Sequence, residues 1–134
     1  MPRKDRSRLL ALCEDVPVAL ADVVSDPGKP VHYVYFPIDG FISMVAVVEG
    51  SPGVEVHMVG MVGREGILGA HVALGVATAP FRALVQGVGS ARRIGAVTFR
   101  KELTHNAALQ QGVNHYLYVL LSQLATYAAC YAFI

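Results

Sequence analysis

Val31–Gly69, VHYVYFPIDGFISMVAVVEGSPGVEVHMVGMVGREGILG, decides the fold. Its first run, Val31–Phe36, is rich in valine and aromatic residues, which suit a pleated surface. Val31, Tyr33 and Tyr35 share one face, and His32, Val34 and Phe36 share the other. Both faces are apolar, so both must be covered. Pro37 has no N–H to give to a ladder. Asp39-Gly40 then predicts a hairpin turn, with Phe41–Val48 as the return strand. Glu49–Gly53 reads as a second loop. Val54, Val56 and Met58 alternate with Glu55, His57 and Val59, the pattern of a half-buried strand. Gly60, Gly63, Gly66, Gly69 and Gly75 follow in quick succession, which marks bends or a close approach of backbone to something else.

Outward from this stretch the chain keeps a β character. Asp5–Cys13 carries Leu9, Leu10 and Leu12 on a short helical pattern, and Val16–Val24 reads as a strand. Ser25–Pro30 is a turn, because Pro27 presets φ and Gly28 accepts positive φ. Gly66–Leu74 has room for a helical turn. Phe81–Val88 alternates, with Phe81, Ala83 and Val85 opposite Arg82, Leu84 and Gln86. Gly89-Ser90 turns the chain into a last short strand, Ala91–Ile94. Short strands separated by turns predict a roll or sandwich.

Val97–Leu103 reads as a helix that Thr104-His105-Asn106 breaks or caps. From Leu103 to Ile134 no Lys, Arg, Asp or Glu occurs. Val113, Leu117, Leu120, Leu124, Tyr127, Tyr131 and Ile134 repeat with the 4-3 spacing of a heptad seam. Tyr118, Leu121, Ala125, Ala128 and Ala132 form a neighbouring stripe of smaller residues. A helix with two apolar faces needs two covers. The roll supplies one, and the same helix of a second copy is the simplest other. The expected homodimer interface is therefore Val113, Leu117, Leu120, Leu124, Tyr127 and Tyr131. A membrane span is the competing reading of Val113–Ile134. Asn114, His115, Ser122, Gln123 and Thr126, and the lack of basic flanks, speak against it.

Composition sets further bounds. A chain of 134 residues is about one domain. It is 54% hydrophobic, so a core is easily buried and apolar surface is left for a partner. A net charge of +1 gives no field for gripping nucleic acid, and the basic start at Arg3, Lys4, Arg6 and Arg8 reads as a solvated helix face. Cys13 and Cys130 are too few for a four-cysteine metal site. Both are expected to be reduced and mostly buried, which with the absence of a signal peptide implies a cytoplasmic protein without membrane attachment. The histidines show no tight pair at metal spacing, so no metal is expected. His57 with His71 is the one pairing that a cupin-type metalloenzyme would use, and Cys13, His71 or His115 would be the axial ligands of a haem sensor.

Val34-Tyr35-Phe36-Pro37 with Asp39-Gly40, Gly63-Arg64-Glu65-Gly66, and Gln123-Leu124-Ala125 followed by Ala128-Ala129-Cys130 resemble bacterial transcription regulators of the Crp/Fnr superfamily. The resemblance covers nearly the whole chain. It implies a mainly β fold with flanking helices: a cyclic-nucleotide-binding-like β-roll, or double-stranded β-helix, over residues 1–106, and a long C-terminal dimerisation helix over 107–134. It implies a non-enzymatic sensor of an unknown effector. DNA binding would belong to a helix–turn–helix domain outside this chain.

The resemblance also implies where a nucleotide would sit. In the family a Gly-Glu pair takes the ribose hydroxyl, and an Arg followed by a small residue takes the cyclic phosphate, with bidentate pairing as the reason for Arg. Arg82-Ala83 fits the closing pair. Glu65 fits the carboxylate role only with too long a separation from Arg82. The preferred register sets Gly66-Ile67-Leu68-Gly69 in the bend and puts Ala70 where the carboxylate should be. The candidate ligand residues are thus Arg82, Ala83, Gly69, Ala70, Glu65 and Arg64, with weak or no binding of cyclic AMP or cyclic GMP and no other cofactor expected. Arg82 alternatively pairs with an acid such as Glu65 or Asp39. Tyr116, Tyr118 and Tyr127 are the helix residues placed to report occupancy. Two other readings stay open: a cupin-type enzyme, and a structural module whose pocket is filled by Phe41, Met44 or Phe81.

Overall fold

The computed structural model describes residues 3–49 and 54–132. In order along the chain it contains α1 (Arg3–Ala11), β1 (Glu14–Val18), β2 (Val23–Ser25), β3 (Tyr33–Pro37), β4 (Ile42–Glu49), β5 (Val54–Val62), a short 3-10 helix (Ala70–Leu74), β6 (Arg82–Val85), β7 (Gly89–Gly95), α2 (Ala96–His105) and α3 (Ala107–Ala132). The strands make two antiparallel sheets. One runs β1-β7-β3 and the other β2-β6-β4-β5.

Two readings of the sequence are corrected here. Val16–Val24 is not one strand. β1 and β2 belong to different sheets, and a turn separates them, in which the Ala19 N–H donates to Asp22 Oδ2 at 2.9 Å and Ala21 takes φ 69°. Asp39-Gly40 is a turn with Gly40 at φ 71°, but it is not a hairpin. β3 pairs with β7 while β4 pairs with β5 and β6, so this turn carries the chain from one sheet to the other. Positive φ suits Gly there on any route. The hairpin that does form joins β4 to β5 through residues 50–53, which lie outside the described residues.

β5 is longer than its alternation suggests. The pairing steps from Met44↔Gly60 to Val45↔Met58, so Val59 is a bulge that resets the faces. Val62 then points inward at 1% exposure. The glycine-rich corner bends back and pairs with β3, Tyr35 N–H to Leu68 O at 2.9 Å and Leu68 N–H to Tyr35 O at 2.8 Å.

Two apolar clusters result. The first joins Leu9 of α1, Val34, Ile94, Phe99, Leu109 and Val113. Phe99 is fully buried and meets Phe36 edge-on, with ring centroids 6.2 Å apart. The second lies on the four-stranded sheet and includes Ile42, Met44, Val62, Ala83 and Val85. Arg8 reaches the buried carboxylate of Glu102 at 2.9 Å and ties α1 to α2.

α3 begins at Asn106, which ends α2 and caps the next helix. Its Oδ1 accepts the Leu109 N–H at 3.0 Å. The helix crosses both clusters. Leu109 and Val113 are buried in the first, Leu117 packs on the first, and Leu120 packs on the second. Val113 is 1% exposed and is core, which corrects its assignment to a dimer interface: a second chain has no surface of it to touch. The Tyr127 and Tyr131 side chains lie outside the described residues. Among the described residues no helix is long and apolar enough to cross a membrane.

Candidate functional site

A cavity of about 1170 Å³ opens between the roll and α3. The chain builds it from four parts. β3 supplies Tyr33 and Tyr35. The corner and the 3-10 helix supply Gly69, Ala70, His71 and Leu74. The start of β6 supplies Phe81 and Ala83, and α3 closes one side with Leu117, Tyr118, Leu120, Leu121 and Leu124. Gly69 makes the bend possible at φ 94°, in the left-handed region open to residues without a Cβ. Met44 and Phe81 line the wall without filling the space, and Phe41 is 41% exposed. The pocket is open.

The six candidate ligand residues do not come together. Gly69, Ala70 and Ala83 line this cavity. Arg64 and Glu65 are exposed at a second groove, on the far side of α3, beside α1. Arg82 lines neither. Its Nε donates to Asp26 Oδ1 at 2.8 Å, and both side chains are partly exposed. The acid that pairs with Arg82 is therefore Asp26 rather than Glu65 or Asp39. Ala83, the next residue along the strand, is 1% exposed, so the arginine leaves by the opposite face. The expectation that the Arg82 guanidinium, followed by the small Ala83, takes a phosphate is met here by an arginine paired with Asp26 outside the cavity.

No Lys, Arg, Asp or Glu lines the cavity among the described residues. Arg93 is stacked on Tyr33, 4.1 Å from the ring centroid, and is paired with Glu14. The polar groups in the wall are Ser25, His32, His71 and the tyrosines. Ser25 Oγ donates to Phe81 O at 3.3 Å. His71 Nε2 lies 2.9 Å from Thr78 O. A carbonyl only accepts, so Nε2 carries the proton. Burial pushes the His71 pKa down, and the Thr78 carbonyl opposes that in part.

Of the three tyrosines chosen as reporters, the Tyr127 side chain lies outside the described residues and the other two separate in the same way. Tyr118 lines the cavity and is 67% exposed. Tyr116 lines the second groove, where burial raises its pKa against a hydrogen bond with the Ile67 backbone. The haem candidates are likewise divided, with His71 in the cavity and Cys13 and His115 at the groove. Both cysteines are free. Cys13 is half-buried with its thiol pKa raised chiefly by burial, and Cys130 is exposed, contrary to the expectation that both are mostly buried. No three metal-ligating side chains cluster among the described residues, and the His57 side chain lies outside them.

The sequence reading missed the contact that docks α3. Gln123 Oε1 accepts the Met61 N–H at 3.2 Å. A Cβ on Gly60 would sit 2.6 Å from that oxygen and 2.5 Å from the end of Met44. A glycine inside a strand was the available signal, since it permits such an approach.

No family model and no curated protein sequence matches the chain. Solved structures do match. One is the "c-di-GMP Responsive Global Regulator CLP" of Xanthomonas campestris, at TM-score 0.79 and 19% identity, over 99% of this chain and 66% of that one. Another is the N-terminal domain of a transcriptional regulator from Streptomyces coelicolor A3(2), at 0.69 and 13%, over 94% and 86%. A third is the regulatory domain of Toxoplasma gondii PKA with cAMP, at 0.66 and 16%, over 75% and 37%. The chain thus spans just under two thirds of the CLP chain and about a third of the PKA domain. Identities this low show the fold alone, that of the cyclic-nucleotide-binding-like domains.

Proposed function

We propose that this chain is the effector-sensing domain of a Crp/Fnr-like transcription regulator, that it does not take cyclic AMP or cyclic GMP in the usual way, and that it is not an enzyme. One observation carries the reading. The cavity is walled partly by the roll and partly by α3, and no charged side chain lines it among the described residues. A ligand there touches the helix directly, so it favours one helix position over another if it binds the two differently. A cyclic phosphate would lie there without a cation, which is costly in a partly dry site.

α3 carries the message to a second copy. At the mouth of the cavity it presents Tyr118 and Leu121 at 67% and 65% exposure, with exposed Ala125 and Ala128 further along the helix. These residues form the homodimer contact in this reading, with Leu124 at its edge. DNA contact belongs to a part outside this chain, by likeness to the longer regulators.

Titration calorimetry with cyclic AMP and cyclic GMP tests the effector half. No saturable heat is expected in the micromolar range, and a micromolar Kd for either nucleotide refutes it. Sedimentation velocity tests the helix half. Leu121→Asp should turn a dimer into a monomer, because it places an unpaired charge in an apolar contact.

A further inference from the structure

We infer that the cavity selects a neutral, mainly apolar small molecule that presents one hydrogen-bond donor, an aryl or acyl compound with an N–H or O–H, and that His71 Nδ1 accepts that donor. The inference deepens the sensor reading above and rests on it.

Three observations support the class. The first is charge: among the described residues the wall holds no Lys, Arg, Asp or Glu, so neither an anion nor a cation finds a partner. The second is the wall chemistry. Ile67, Leu68, Leu74, Phe81, Leu117 and Leu124 make it apolar on several sides, the usual make-up of a pocket for a drug-sized organic molecule. The third is the state of His71. Its Nε2–H is committed to Thr78 O. Burial favours the neutral ring, and a neutral imidazole with Nε2 protonated leaves Nδ1 as a bare acceptor. Nδ1 has no partner among the described residues. Of the other polar groups in the wall, Ser25 donates to Phe81 O, and the Tyr33 ring is stacked under Arg93.

The test uses three fluorescent probes that share one skeleton. N-phenyl-1-naphthylamine is neutral and has an N–H. Its N-methyl derivative is neutral and has none. 8-Anilinonaphthalene-1-sulfonate keeps the N–H and adds an anion. The neutral amine should bind saturably and at least tenfold more tightly than the sulfonate. Methylation should weaken it by about threefold to tenfold, the range of one neutral hydrogen bond. His71→Phe should abolish the difference between the amine and its methyl derivative. Leu74→Glu, at a wall residue 67% exposed, should weaken the amine. Val76→Glu, at an exposed residue two positions on that is outside the wall, should not.

Three results overturn the inference in whole or in part, and they differ. If the sulfonate binds as tightly as the amine and cyclic AMP displaces it, the neutral-ligand class falls together with the exclusion of cyclic AMP, while the sensor reading keeps its cavity. If no probe binds, or if Leu74→Glu and Val76→Glu act alike, the cavity is not the ligand site and both readings fall. Retention of the methylation effect in His71→Phe removes His71 from the role.

Discussion

Arg82 spends its guanidinium on Asp26, Nε to Oδ1 2.8 Å, on the side of β6 away from the cavity. The pair is about 40% exposed at each side chain, so solvent screens it. Arg82→Ala should therefore change stability by about 0–1 kcal/mol. It should also leave probe binding in the cavity unchanged. Urea denaturation and fluorescence titration of the same variant check both. A variant that loses probe binding would mean that Arg82 reaches the ligand.

Gly60 and Gln123 act as one contact. The bare Cα of Gly60 lets the Gln123 side chain lie close enough for its oxygen to take the Met61 N–H. Gln123→Ala should cost about 0.5–1.5 kcal/mol, the range of one such bond. Gly60→Ala should cost a similar amount, because its Cβ displaces the Gln123 oxygen and the end of Met44, both flexible. The double variant should then be less unstable than the sum of the two, since each change removes the same bond. Additive urea-derived losses would show that the glycine and the glutamine act separately.

The alternation at Phe81–Gln86 was readable, and so was the facing of Arg82. The period of two that turns Ala83 inward must turn Arg82 outward. An Arg82 guanidinium reaching into the cavity that Ala83 lines is at odds with that pattern. The turn at Asp39-Gly40 was also readable, but its partner strands were not. Positive φ at Gly40 serves a hairpin and a crossing between sheets equally well. The choice is made by pairings distant in sequence, Val34 with Ile94 and Ile42 with Val85. On α3 the heptad spacing found the apolar seam. It could not tell that Val113 meets its own roll, because a 4-3 pattern describes a face and not what covers it.

Asn106 holds the junction between the two helices with its cap to Leu109. It is 6% exposed, so water is a poor substitute for the lost acceptor. Asn106→Ala should cost about 1–2 kcal/mol, at the upper part of the usual range for caps. Asn106→Asp keeps an acceptor for the same N–H and should recover part of the loss. The urea midpoints of the two variants check the order. Equal losses would assign the effect to the buried amide rather than to the cap.

His71 should give stability a pH dependence of known sign. Its folded pKa is below the ordinary value of 6.5, because burial disfavours the charged ring more than the Thr78 carbonyl favours it. In the window between the folded pKa and 6.5, the unfolded chain binds the proton and the folded chain resists it. Stability then rises with pH, since the unfolded state holds more protons. On acidification the loss begins near pH 6.5 and levels off once the folded ring also takes the proton. Above the window this residue contributes no slope. His71→Gln keeps an N–H for Thr78 O and removes the titration. Urea midpoints measured from pH 8 to pH 5 should fall more steeply for the wild type than for this variant. Parallel curves would place the His71 ring in solvent, and would also remove the bare Nδ1 acceptor from the cavity wall.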